Sequence, residues 1–152
     1  MCWSINKIEC ESNPEKYHKI AEEDITVYKF GHILDGKFIP YFKCDFTYTV
    51  NSLNEEVKMK SRRGDYFVFI DEGYHSYESE DKALKGLNDI ILFDDVFDDD
   101  ANLYNKIEAF IIPKGSEYYE NNYGEIVSSQ LIWVGESIPF IKLLNKYVLE
   151  NR

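Results

Sequence analysis

Residues Asp65 to Leu92 read DYFVFIDEGYHSYESEDKALKGLNDIIL. The run Tyr66 to Ile70 is continuously apolar and predicts a strand covered on both faces. A tight turn follows. Glu72-Gly73-Tyr74-His75-Ser76-Tyr77 then reads as a polar and aromatic loop that hands the chain to a helix. Ser79 suits the N-cap, and Glu80 and Asp81 fall in the first turn, where the helix dipole favours negative charge. Ala83, Leu84, Leu87, Ile90 and Ile91 recur at helical spacing and form the expected buried stripe. Gly86 interrupts that helix at a cost of ~1 kcal/mol relative to alanine.

Moving outward, strands and turns dominate on both sides. Ile25 to Phe30 is β-branched and aromatic and alternates as a strand does. Asp35-Gly36, flanked by HIL and KFI, predicts a hairpin turn. Phe38 to Val50 is strand-like on both sides of Asp45, with Pro40 at an edge or a strand end. Val57 to Arg63 alternates apolar and basic. Past the central helix lies DDVFDDD, Asp94 to Asp100, expected outside regular structure. Lys106 to Ile112 is an apolar strand stopped by Pro113, Glu117 to Tyr123 is polar and aromatic, and Ile126 to Val134 predicts one last strand. Two further helices are expected, one from Pro14 to about Glu22 and one opened by Ser137-Ile138-Pro139 and running to about Glu150. These elements predict a single α+β domain, mostly antiparallel sheet, with about three helices including a C-terminal one.

The chain has 152 residues and a formal charge of −11. That length supports a core without a metal or disulfide staple. The charge disfavours direct binding to nucleic acid or anionic membranes, which needs a cationic surface, and favours a basic partner. Three cysteines, Cys2, Cys10 and Cys44, stand at irregular spacing and give neither a disulfide framework nor a zinc pattern. No apolar run approaches the ~20 residues of a membrane span. A reduced, cytoplasmic protein is the expectation.

Among candidate chemical groups, His75 leads. An imidazole serves as acid, base or ligand near neutral pH. Tyr74 and Tyr77 offer stacking faces and hydroxyls. A loop before a helix N-terminus suits an anion or a nucleotide phosphate. The plainer alternative is that these groups only close the loop. Glu125, at the head of the last strand, is the best-placed lone carboxylate. Cys2, once Met1 is removed, would pair a thiol with a free α-amine, the arrangement of a self-activated nucleophile; the alternative is an inert thiol beside Trp3. Asp98, Asp100 and Asn102 begin like a calcium loop. However, Leu103 stands at the glycine position and Ala109 at that of the bidentate glutamate, which rejects an EF-hand. The acidic run Asp94, Asp95, Asp98, Asp99 and Asp100 reads either as a solvated loop or as a phosphate-like surface for a basic or nucleic-acid-binding protein.

The Met-Cys start before IAEEDITVYKF, the EGYHSY phrase, and AFIIPKGSEYY followed by IVSS together resemble a set of small proteins from gut bacteria and their phages. That resemblance implies a phage or mobile-element accessory protein and supplies no activity. GYHSYESEDKAL and the strand of Glu125 also resemble parts of the ADP-ribosyltransferase-like fold. There, a turn ending in Ser or Thr precedes a helix, and a late strand carries a catalytic Glu. The resemblance implies an enzyme that uses NAD, with Ser76 and Glu125 in those roles; the strand–loop–helix placement of EGYHSY predicts that His75, Ser76, Tyr77 and Glu125 converge on one cleft. The family's His or Arg on the opening strand is replaced by Tyr28 and Lys29 in ITVYKF. The two expectations are therefore an acidic binding protein engaging a macromolecule such as a host defence protein, and a nucleotide-binding or ADP-ribosyltransferase-like enzyme using the EGYHSY loop and Glu125.

Overall fold

The computed structural model describes residues 3–40, 47–70, 72–93 and 106–138. Strand β1 (Trp3–Asn6) leads into helix α1 (Lys7–Ser12), which Asn6 caps by accepting from the amides of Ile8 and Glu9 at 3.0 and 3.3 Å. Helix α2 (Pro14–Tyr17) has proline in its first turn and lasts a single turn. The chain turns extended at His18 and becomes strand β2 (His18–Ile20). A helix from Pro14 to Glu22 was the expectation. Tertiary pairing overrides it: β2 lies antiparallel to β10 (Glu117–Glu120), with Lys19 opposite Tyr118. The His18 ring stacks on Tyr119, centroids 4.1 Å apart.

Strand β3 (Ile25–Leu34) is the hub. One edge pairs with β9 (Lys106–Ile112) from Ile25 to Gly31. The other meets β8 (Tyr74–Tyr77) at Tyr28 and β4 (Lys37–Pro40) from Gly31 to Leu34. The β3–β4 hairpin turns through Asp35 (φ 53°) and Gly36 (φ 74°), the left-handed pair that a two-residue turn requires and that Asp-Gly predicts. Strand β5 (Tyr48–Thr49) pairs with β4, and β12 (Ile132–Ile138) pairs with β9. The Asn51 amide donates to the Trp133 carbonyl at 2.7 Å, which brings the β5 end of the sheet to β12. The sheet therefore curls around Val27, Phe38, Tyr48, Phe110 and Trp133, all buried. Phe38 and Tyr48 each meet the Phe110 ring edge-on at 5.0 Å.

On the far side of β8, strand β11 (Glu125–Ser128) and then β10 and β2 extend the sheet. A second, three-stranded sheet is built of β1, β7 (Phe67–Ile70) and β6 (Ser61–Arg63). Its Trp3, Ile5, Val68 and Ile70 pack with Tyr17 against Val127 of β11. Helix α3 (Glu80–Phe93) lies against β3, β8 and β9, with Ala83, Leu84 and Leu87 buried as its spacing predicts. Ser79 caps it by accepting from the Lys82 amide at 3.2 Å. All strand pairs are antiparallel, so the α+β, mostly-sheet expectation holds. No helix among the described residues is long and apolar enough to cross a membrane.

Four local expectations change. The EGYHSY stretch is not a loop from Tyr74 onward; it is strand β8, in the middle of the large sheet. Strand β7 is covered on one face only, because Phe67 is 46% exposed while Val68 and Ile70 are buried. The expected last strand is two strands, β11 and β12, separated by Ser129, Gln130 and Leu131. The Gln130 side chain binds the main chain of Asn54 at both ends (3.0 and 2.6 Å), which holds this break. Ser137 and Ile138, expected to open the C-terminal helix, belong to β12, and the rest of that helix lies outside the described residues.

Gly86 has a structural reason. A Cβ built there would lie 2.5 Å from the Tyr77 hydroxyl oxygen and 2.8 Å from Cζ. The phenol fills the space a side chain would occupy. Gly86→Ala is therefore expected to destabilise the fold by about 1–2 kcal/mol despite alanine's better helix propensity. In a Tyr77→Ala background the same substitution is expected to stabilise it. Urea unfolding of the four proteins in this cycle checks both signs.

Candidate functional site

Strand register sorts the candidate residues onto two faces. Tyr28 of β3 stands opposite Tyr77 of β8, and Tyr77 stands opposite Glu125 of β11. Directly opposed residues of antiparallel strands share a face, so these three form one row across three adjacent strands. His75 is two residues from Tyr77 and shares that face, one step along, opposite Val127. Ser76 does not join them. It points to the opposite face, opposite Ile126, and is 3% exposed. The expectation that His75, Ser76, Tyr77 and Glu125 meet in one cleft is corrected by the period-two alternation of β8.

The row itself is half-buried. Tyr77 packs on the Phe30 ring, centroids 5.8 Å apart, and its hydroxyl sits against Gly86 of α3. Burial pushes the phenol well above its ordinary pKa, and the negative charges of Glu125 and Asp89 push it further, so it is held as a donor. Glu125 is bound at several points by Asn121. The Asn121 Nδ2 donates to Glu125 Oε1 at 3.1 Å and to the Ser4 carbonyl at 3.2 Å, while its Oδ1 accepts from the Glu125 amide at 3.1 Å. Trp3 Nε1 donates to the Glu125 carbonyl at 2.9 Å. Nothing in the sequence singles out Asn121, and its buried amide joins the two sheets. His75 is half-buried within a strand rather than open at a rim.

The inner face carries charges that sequence reasoning passed over. Lys29 is 9% exposed and Glu108 is fully buried. They stand opposite one another on β3 and β9 and so share the core face. Lys29 Nζ donates to the His75 carbonyl at 2.5 Å and lies 6.0 Å from the centre of the Tyr48 ring. Burial drives the Tyr48 phenol far above its ordinary pKa. Ser76 lines the same face, and its Oγ has no hydrogen-bond partner among the described residues. The signal was available: Lys29 falls on the Val27 side of its strand, and Glu108 interrupts KIEAFII, both at core-facing positions where a bare charge is costly.

A third group lies at the free end of the large sheet. Glu22, Glu23 and Asp24 follow edge strand β2 as three exposed acids, with Glu15 nearby. Toward the other end of β2, Glu120 is raised above its ordinary pKa by burial and by a hydrogen bond with the Glu78 carboxyl, partly offset by Lys19 at 3.8 Å. Cys2 and the aspartates 94, 95, 98, 99 and 100 lie outside the described residues. Among the described residues, no group of three or more His, Cys, Asp or Glu side chains is placed to hold a metal.

Comparison of the chain with protein-family models, with characterised proteins and with solved structures gives no match in any of the three.

Two outcomes follow from these burials. Lys29→Met and Glu108→Gln are each expected to cost about 3–5 kcal/mol, the usual loss when one member of a buried charged set is removed. The double variant is expected to cost clearly less than their sum, as read from urea unfolding. Glu120 has a folded pKa above its unfolded one. Its contribution is therefore present below the ordinary carboxylate range and lost as pH rises through the raised value. Glu120→Gln is expected to raise the urea midpoint at about pH 7 relative to that at about pH 4, compared with the unaltered protein.

Proposed function

We propose that the protein is an acidic binding module that engages a basic macromolecular partner, as an accessory protein of phage or mobile-element type working in the cytoplasm. One observation carries this reading. Glu22, Glu23 and Asp24 stand exposed in sequence beside an open sheet edge, on a chain of net charge −11. Clustered like charge steers an oppositely charged partner and repels nucleic acid. The aspartates Asp94, Asp95, Asp98, Asp99 and Asp100 extend the same chemistry in this reading. A host protein that itself binds nucleic acid, and so presents a cationic groove, is the kind of partner they suit.

The second reading is a nucleotide-binding, ADP-ribosyltransferase-like enzyme using NAD. It is favoured by the row Tyr28, Tyr77 and Glu125 on three neighbouring strands. It is disfavoured by Ser76 facing the other way and by the Asn121 amide already on the Glu125 carboxylate.

A fluorescein-labelled peptide of alternating Lys and Val separates the two. Titration with the protein is expected to give saturable binding that weakens by about tenfold or more from low to physiological salt. The triple variant Glu22→Gln, Glu23→Gln, Asp24→Asn is expected to weaken it similarly. Absence of any saturable binding, together with calorimetric binding of NAD that Glu125→Gln abolishes, would overturn the proposal in favour of the enzyme.

A further inference from the structure

Strand β2 is the last strand of the large sheet, and among the described residues nothing pairs with its outer edge. Its inner edge is fully used. The Ala21 amide donates to the Ser116 carbonyl at 2.9 Å, and the Ala21 carbonyl accepts from the Gly115 amide at 2.8 Å. Lys19, two residues back, lies opposite Tyr118. Backbone groups of an antiparallel strand alternate between its two sides. Ile20 therefore directs its N–H and C=O outward. The neighbouring His18 N–H is already given to the Pro14 carbonyl. Ile20 is the backbone position at which an extended chain would join.

The surroundings suit such a chain. An open groove of about 700 Å³ includes Lys19, Ile20, Ala21 and Tyr118 and is walled by Glu15, Glu22 and Glu23. A second, of about 540 Å³, shares Ile20 and includes Val57 and Met59, with the acids Glu56 and Glu117 outnumbering the one lysine, Lys58. Ile20, which lines both, is 57% exposed. A strand added to this edge would send alternate side chains to opposite faces and so into the two grooves.

We infer that the outer edge of β2 is a docking site for a basic, extended peptide segment of a partner protein, which joins the sheet as an additional strand through Ile20. This inference rests on the acidic-binding reading and names its surface. The occupant follows from charge. The acids Glu15, Glu22 and Glu23 line the groove, and Lys19 among them is already engaged by Glu120 at 3.8 Å. A second copy of the chain would bring Glu22, Glu23 and Asp24 against their own kind, and like charges in apposition oppose pairing. A cationic chain meets no such barrier.

The test uses the alternating Lys-Val peptide and the same peptide N-methylated at every residue, which keeps the charge and removes the main-chain donors of both strand edges. The full-length protein is expected to bind the N-methylated peptide at least about tenfold more weakly, the effect of losing a main-chain hydrogen-bond pair. Hydrogen exchange at the Ile20 amide is expected to slow when the unmodified peptide saturates the protein. Ile20→Pro, which removes only an outward N–H and is tolerated at a strand edge, is expected to weaken binding comparably while the circular dichroism spectrum is unchanged. If Ile20→Pro unfolds, the two-peptide comparison on the unaltered protein still decides. Equal affinity for both peptides would overturn the edge site while leaving the acidic-binding reading standing. Failure of both peptides to bind would remove the reading as well. A concentration-dependent dimer in ultracentrifugation with a protected Ile20 amide would assign the edge to a second copy and overturn the peptide proposal.

Discussion

Strand β3 is paired along both edges, and its register determines which face the groups at the centre of the sheet occupy. Seven consecutive residues face β9 on one side, and Tyr28 meets β8 on the other. A slip of one residue would exchange the two faces of the strand. Lys29 would leave the core and Tyr28 would enter it. The register is held by the aromatic interior, where Phe38, Tyr48 and Phe110 interlock, and by the Asn51 hydrogen bond that curls the sheet toward β12. The division between the inner set (Lys29, Glu108, Ser76) and the outer row (Tyr28, Tyr77, Glu125) follows from that constraint.

Both sets serve the architecture visibly. The Lys29 ammonium ties the β8 main chain to the inside of the sheet, where an unsatisfied charge would be costly. The Tyr77 phenol fills the gap left at Gly86 and locks α3 to the outer face. Asn121 joins β11 to β1 and thereby joins the two sheets. Groups fixed in this way are preorganised, but their hydrogen-bonding capacity is largely committed to the protein itself. Glu22 and Glu23 beside β2 differ in this respect, since they are exposed and, among the described residues, their strand lacks an outer neighbour; the adjoining Asp24 carboxylate accepts from the Lys114 amide at 2.8 Å. An uncommitted edge with a strong field is better suited to recognition than a carboxylate already held by an amide.

Edge strands are normally protected by brevity, charge or cover. Strand β2 is short and carries Lys19, which fits such protection against self-association. The same features leave it selective, because acids on both flanks discriminate among incoming chains by charge before any hydrogen bond forms.

Much of this was legible in the residues alone. Side-chain periodicity is local, so the α+β class, the Asp35-Gly36 hairpin, the capped helix after Ser79 and the strands around Val27 and Phe110 follow from neighbours in sequence. The acidity and the charged interruptions at Lys29 and Glu108 were equally present there. Three matters needed the tertiary structure. His18 to Ile20 became a strand because β10 offered a partner, which outweighed the helix signal at Pro14. The EGYHSY stretch became a central strand because β3 and β11 flank it, although its polar composition resembles a loop. Which side chains share a face depended on strand order and register, and those are set by contacts between residues far apart in the chain. Local sequence fixes each strand's alternation; only long-range pairing decides which half of it turns inward.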